Sequence, residues 1–251
     1  MVYSSMLKMW GVFMLRLCYV IIISLPFILA YLLKTAYIEH HDDRYTEADR
    51  YKIAKQAVSI MQRNGFIHTD IYGQENLPDE GGYVMYANHQ GKYDALGIIS
   101  GHEAPCTVLI DDKRSHQIIT SQFIDLLKGT RLDKTDMKSQ LKTILSIVNE
   151  VKNGRRYIIF PEGGYDHNRN DVHEFLPGAF KCAIKSKSPI VPVALIDSYK
   201  PFELNSLKPV KTQVHFLEPL FYEDYKEMTS KEIADLIREK ITNTIKEACP
   251  G

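Results

Sequence analysis

Two short segments of this chain carry the residue types that proton transfer at a hydroxyl requires. Asn88-His89-Gln90-Gly91-Lys92-Tyr93-Asp94 supplies an imidazole with a carboxylate five positions on. A carboxylate that holds one ring nitrogen leaves the other free to accept a proton, which is the logic of an oriented general base. Phe160-Pro161-Glu162-Gly163-Gly164 ends an apolar run in one acid and two glycines. There Glu162 is expected to accept from ligand hydroxyls, while Gly163 and Gly164 let backbone N–H groups approach an anion or a developing oxyanion.

A spacing of five does not align two side chains on a regular helix: five steps of about 100° leave them roughly 140° apart. For His89 and Asp94 to touch, the chain between them must turn tightly. The histidine then sits at or before a helix start and the aspartate in its first turn, with Gly91 as the permissive position. Taken alone, one His and one Asp at this separation more often serve structure, and Pro-Glu-Gly-Gly more often makes a simple turn. Their placement after strands is what gives them weight.

Strand and helix patterns alternate through the chain. Strands are expected over Phe66–Tyr72, Tyr83–Ala87, Cys106–Ile110, Arg156–Phe160, Ile190–Ile196 and Gln213–Phe216. Helices are expected after Thr46 (with Asp49 three residues on), after Asp94, over Ser115–Leu127, Thr135–Asn153 and Phe180–Lys187, and from Thr229 with Glu232 to before Pro250. Such alternation predicts an α/β fold, a mixed and largely parallel sheet flanked by helices. Ligands of such sheets collect beyond the carboxyl ends of strands, where His89 and Glu162 both fall.

At 251 residues the chain suffices for one large domain, and its 31 basic and 31 acidic residues give no ground for a nucleic-acid partner. The four cysteines form no Cys-x-x-Cys pair, and neither His40-His41-Asp42-Asp43 nor His167 with His173 has a metal-ligand spacing, so neither metal nor disulfide framework is expected. From Asp111 to Arg156, ten basic residues face six acidic ones, a surplus that suits a phosphorylated substrate or a membrane surface. Leu17–Leu33 runs 17 residues without a charge, the lower edge of a spanning helix. Arg16 and Lys34 bracket it and are expected to snorkel to the interface, and Pro26 to kink it. Residues 1–65 are therefore read as membrane-anchoring and amphipathic helices and residues 66–251 as the catalytic domain, with a lipid as ligand.

Together these residues resemble the glycerophospholipid acyltransferase family, in particular its bacterial 1-acyl-sn-glycerol-3-phosphate (lysophosphatidic acid) acyltransferases. Asn88, His89 and Asp94 match its Asn-His-x-x-x-x-Asp signature, Phe160, Pro161, Glu162 and Gly163 its Phe-Pro-Glu-Gly block, and Val191-Pro192-Val193 its apolar strand. The resemblance covers about residues 66–220 and implies the glycerol-3-phosphate acyltransferase-like fold. It implies that His89, oriented by Asp94, activates the sn-2 hydroxyl of lysophosphatidic acid against an acyl thioester carried by coenzyme A (acyl-CoA) or acyl carrier protein. No bound cofactor is implied, only the thioester as co-substrate. The implied location is membrane-associated, at a bacterial inner membrane with the catalytic domain on the cytoplasmic side.

The chain departs from the family in places that touch the acceptor. Gly164 and Tyr165 stand where Ser or Thr and then Arg are common, leaving Arg169 or His167 as substitutes. The middle block ends Gly129-Thr130-Arg131-Leu132-Asp133-Lys134, so that Arg131 and Lys134 are alternative phosphate clamps, and Lys113 lies where a basic residue is frequent. A lysine keeps the charge of an arginine and loses its bidentate fork. Two other readings compete: the same pair activating water in a thioester or phosphoester hydrolase, and a non-catalytic membrane lipid-binding protein. The absence of a serine nucleophile or metal cluster in the sequence patterns weighs against hydrolysis, and the joint presence of His89, Asp94 and Glu162 against loss of chemistry.

Overall fold

The computed structural model describes residues 15–249; Lys8 and Pro250 lie outside them. Seven strands form a single sheet in the order β1-β7-β6-β2-β5-β3-β4. They are β1 (Ile67–Tyr72), β2 (Val84–Ala87), β3 (Thr107–Asp111), β4 (Thr130–Leu132), β5 (Tyr157–Ile159), β6 (Ile190–Ile196) and β7 (Val210–Phe216). All neighbours pair in parallel except β6 with β7, so β1 and β7 run against the other five. This is the mixed, largely parallel sheet that the alternation predicts.

Burial follows from side-chain alternation on the central strands. On β2, Val84 and Tyr86 point to one face and Met85 and Ala87 to the other; on β6, Ile190, Ala194 and Ile196 oppose Val191, Val193 and Leu195. One face is covered by helices α3 (Glu47–Asn64), α4 (Asp94–Gly101) and α6 (Ile118–Leu126), through residues such as Tyr51, Ile98 and Ile124. The other is covered by α7 (Met137–Lys152), α8 (Lys181–Ser186) and α11 (Ser230–Ala248), through Ile147, Ala183 and Ile237. Helices α5 (Asp112–Ser115), α9 (Lys200–Glu203) and α10 (Tyr222–Tyr225) are single turns of four residues. Every residue of β6 is buried, as a central strand covered on both faces requires.

The predicted caps form. Thr46 Oγ1 accepts from the Asp49 N–H at 3.2 Å while Asp49 takes the Thr46 N–H at 3.0 Å, and Thr229 with Glu232 repeats the arrangement. The helix expected over Ser115–Leu127 is instead two. Asp111 caps the first turn by accepting from the Lys113 N–H at 3.0 Å, and an extended Gln117 separates it from α6. The three-residue strand β4 escapes the sequence pattern because it is too short to show a period. Strand β7 begins at Val210, three residues earlier than expected, with Val210, Thr212, Val214 and Phe216 facing inward.

The uncharged N-terminal run forms α1 (Leu15–Ile23) and α2 (Leu25–His40), bent by 72°. The break falls at Ser24, and Pro26 occupies the first turn of α2, where its missing N–H costs no hydrogen bond. Among the described residues no single helix is long and apolar enough to cross a membrane; the bent pair passes that test by length and composition. Ile22, Phe27, Leu29 and Leu33 are exposed on it. Arg16 does not snorkel. It is buried at 1 % exposure and donates to the carbonyls of Ser206 and Lys208, the former at 2.7 Å. Thr35 donates to Gln122 at 2.9 Å and Asn64 to Ser24 at 2.9 Å, so polar contacts tie both helices to the body that they precede. Helix α3, which the sequence groups with the anchoring segment, buries Tyr51, Ile53, Ala54 and Val58 in the core of the sheet.

Replacing Arg16 with alanine removes charge-assisted bonds and a packed side chain together. Arg16→Ala should weaken the docking of α1 by about 1–3 kcal/mol. Hydrogen exchange should then accelerate across Leu15–Ile23 and stay unchanged in β2 and β6; equal protection in both proteins would show that Arg16 does not hold the helix.

Candidate active site

Three adjacent strands, β6, β2 and β5, end together, and each delivers part of one constellation. Strand β2 closes with Asn88, whose side chain extends the ladder to β6: it donates to the Leu195 carbonyl at 3.0 Å and accepts from the Leu195 N–H at 2.7 Å. This pairing fixes the chain immediately before His89. The turn that follows brings Asp94, the first residue of α4, back to the histidine, with the His89 Nδ1–Asp94 Oδ2 distance at 2.7 Å. The predicted contact is present.

The same Oδ2 accepts from the N–H groups of Gln90 at 2.6 Å and Gly91 at 2.9 Å. On the far side of the carboxylate, Ser198 donates to Oδ1 at 2.6 Å. Asp94 is fully buried, whereas 18 % of the His89 side chain is exposed. With Nδ1 held by the acid, Nε2 is the nitrogen that accepts a proton. Gly91 serves differently from expectation. It is not among the positive-φ residues, and an added Cβ would meet Tyr199 Cα at an ordinary 3.6 Å. Its contribution to the turn is its N–H.

Two aromatic rings fix the plane of the imidazole. Phe160 stacks on it with centroids 4.3 Å apart and 20° between planes, and Tyr165 meets it edge-on at 4.6 Å. Tyr165, which stands where the resembled family commonly carries an arginine, lies against the imidazole.

Glu162 departs from its expected role. Its side chain is fully buried, with Oε1 accepting from the His89 N–H at 2.9 Å and Oε2 facing Asn168 Nδ2 at 3.5 Å. The acid thus joins the two motifs directly. Burial pushes its carboxyl from about 4.5 up to about 7. The N–H groups of His89 and His173 oppose that rise, the nearby Asp94 carboxylate adds to it, and Arg238 opposes it. Gly163 adopts a left-handed φ of +75°, which a side chain rarely tolerates. Its N–H closes the turn onto the Phe160 carbonyl at 3.2 Å, and its carbonyl accepts from Lys134 Nζ at 2.7 Å. Around Gly164 there is open space.

Of the basic residues singled out, Lys134 comes to this turn, also pairing with Asp111 at 2.9 Å. Arg131 is directed elsewhere: it pairs with Asp125 at 2.6 Å and donates to Ser115 at 2.9 Å. Lys113 is exposed, with its N–H on Asp111. Arg169 lies over the Tyr199 ring at 5.8 Å, and His167 is 3.3 Å from Glu203. Sequence reasoning missed Ser198, Gln90, Asn168 and Asn170. Gln90 Nε2 donates to Asn170 Oδ1 at 3.0 Å and to the Leu195 carbonyl at 2.7 Å, and Asn168 donates to the His89 carbonyl at 3.2 Å. Ser198 lies just past a strand end, the one signal that would have found it.

The acyltransferase family model matches residues 68–196, just over half of the chain and the part that holds these strand ends. The chain belongs to the acyltransferase family. It is 30% identical over 173 residues to the 1-acyl-sn-glycerol-3-phosphate acyltransferases of Escherichia coli (strain K12) and Salmonella typhimurium, covering 66% of this chain and 70% of each relative. The enzyme of that name from Saccharomyces cerevisiae is 26% identical over 186 residues, and the match spans 70% of this acyltransferase and 59% of the yeast protein. The fold matches the crystal structure of the 1-acyl-sn-glycerophosphate (LPA) acyltransferase from Thermotoga maritima with a TM-score of 0.69 at 19% identity, covering 88% of this chain and 95% of that one.

The position of Glu162 carries a consequence for stability. The folded chain holds its proton to higher pH than the unfolded chain, so the stability it contributes is present below about 4.5 and lost as pH rises through about 7. Wild-type protein should lose up to about 3 kcal/mol on this account between about pH 5 and about pH 8. Glu162→Gln should remove that slope in thermal unfolding; a slope unchanged in the variant would assign the titration to another group.

Proposed function

We propose that this acyltransferase moves a fatty acyl group from an acyl thioester to the sn-2 hydroxyl of lysophosphatidic acid, giving phosphatidic acid. The observation that carries the reading is the buried Asp94 carboxylate at 2.7 Å from His89 Nδ1, beside the Phe160–Gly164 turn. His89 Nε2 takes the hydroxyl proton as the acceptor oxygen attacks the thioester carbonyl. The tetrahedral intermediate collapses with cleavage of the C–S bond, and the imidazolium returns its proton to the departing thiolate. The acyl group passes directly between substrates, so no nucleophilic serine is needed.

Lys134, held at the Gly163 carbonyl, offers a half-exposed ammonium to the acceptor phosphate. The exposed apolar residues of the bent α1–α2 pair support association with a membrane, where both lipids reside. The acyl carrier, coenzyme A or acyl carrier protein, leaves as the free thiol.

Purified protein supplied with radiolabelled lysophosphatidic acid and acyl thioesters should yield phosphatidic acid. His89→Ala should lower kcat/KM at least about 100-fold. Free fatty acid as the sole product would indicate a hydrolase, and lipid binding without turnover a non-catalytic protein. Lys134→Met should raise KM for lysophosphatidic acid about tenfold, some 1.4 kcal/mol, and leave kcat nearly unchanged. A KM equal to the wild-type value would remove Lys134 from acceptor binding.

A further inference from the structure

The segment after β6 holds an arrangement that acyl transfer as described does not use. Asp197 adopts a left-handed φ of +59°, which a non-glycine residue rarely takes. Two side chains hold it there through three contacts. Asn170 Oδ1 accepts from the Asp197 N–H at 2.9 Å, Asn170 Nδ2 donates to Asp197 Oδ1 at 3.1 Å, and Lys200 pairs with Asp197 Oδ2 at 2.6 Å. Asn170 is in turn fixed by Gln90 Nε2 at 3.0 Å, so this turn is registered against the histidine loop. The residue it presents is Ser198, 2 % exposed, with its hydroxyl donating to Asp94 Oδ1 at 2.6 Å.

Geometry separates the possible roles of that hydroxyl. Ser198 sits on the opposite side of the carboxylate from the imidazole and donates to an acid, so it is not arranged as a nucleophile activated by His89. Three donors converge on Oδ2, among them the His89 ring. Oδ1 is equally buried, and a buried carboxylate oxygen without a donor is unfavourable. Rotation about the Cβ–Cγ bond carries both oxygens together, so a bond at Oδ1 adds to the three at Oδ2 in fixing the line from Oδ2 to Nδ1.

We propose that Ser198 is a positioning residue for the proton-transfer pair: its bond to Oδ1 locks the carboxylate plane of Asp94 so that Oδ2 stays on the His89 ring. The strained turn at Asp197 and the Asn170–Gln90 bridge exist to deliver that hydroxyl. The proposal rests on His89 as the base of the reaction above and deepens it by adding a third strand end to the machinery.

The test uses the full chain in detergent. In Ser198→Ala, kcat should fall about tenfold while KM for both substrates stays within about twofold, the signature of an interaction that matters at the chemical step. The downfield proton resonance of His89 Nδ1–H bound to Asp94, assigned by its absence in His89→Ala, should broaden or move upfield in Ser198→Ala. Ser198→Thr, which keeps the hydroxyl, should restore most of both. An unmoved resonance with wild-type kcat in Ser198→Ala overturns the role, as does an equal loss in the alanine and threonine variants, which would mark packing and not the hydroxyl. The resonance needs no substrate. A wild-type protein with no transfer activity therefore defeats the reading of the reaction, while the spectrum alone decides the part played by Ser198.

Discussion

One buried carboxylate organises this molecule. Asp94 has no exposure and accepts four hydrogen bonds, from the His89 ring, two backbone N–H groups and the Ser198 hydroxyl. An acid in that setting is costly unless its donors are all in place, so the end of β2, the start of α4 and the end of β6 are fixed relative to one another by a shared need. The sheet supplies the scaffold for this meeting. Parallel strands β6, β2 and β5 carry their carboxyl ends to one edge, and Asn88 seals the first two by pairing with Leu195 as a strand residue would.

The second acid works on the other side of the histidine and by other means. Glu162 holds the backbone of His89 and not its ring, tying β5 to β2 through the loop that contains Asn168. Few donors reach it, and burial raises its carboxyl to about 7, whereas Asp94 sits in a crowd of donors. Two carboxylates that both contact His89 thus have distinct environments and distinct tasks, one directing the ring and the other seating its backbone.

Much of this was legible in the chain. The alternation of elements indicated the sheet, and the five-residue spacing of His89 and Asp94 required the turn that is observed, because no regular helix joins those side chains. Less visible were directions. The sequence places Glu162 at a strand end, yet only packing decides that its carboxylate turns inward to the His89 N–H. Arg16 looks like an interfacial flank in a hydropathy profile, but its partners are carbonyls some 190 positions away, at Ser206 and Lys208. Ser198, Asn168 and Asn170 belong to polar loops with no periodicity, and their roles arise from contacts between segments distant in the chain. Lys134 and Arg131 stand as alternatives in the sequence; in the fold Lys134 reaches the Gly163 carbonyl, whereas Arg131 pairs with Asp125 and Ser115.

The rings that flank His89 have an outcome of their own. With Phe160 parallel to the imidazole and Tyr165 against it edge-on, the His89 ring is held in one plane. A proton donor reaches His89 along the single line on which Nε2 presents its lone pair. The angle of approach is thus set by an aromatic vise before any headgroup is read.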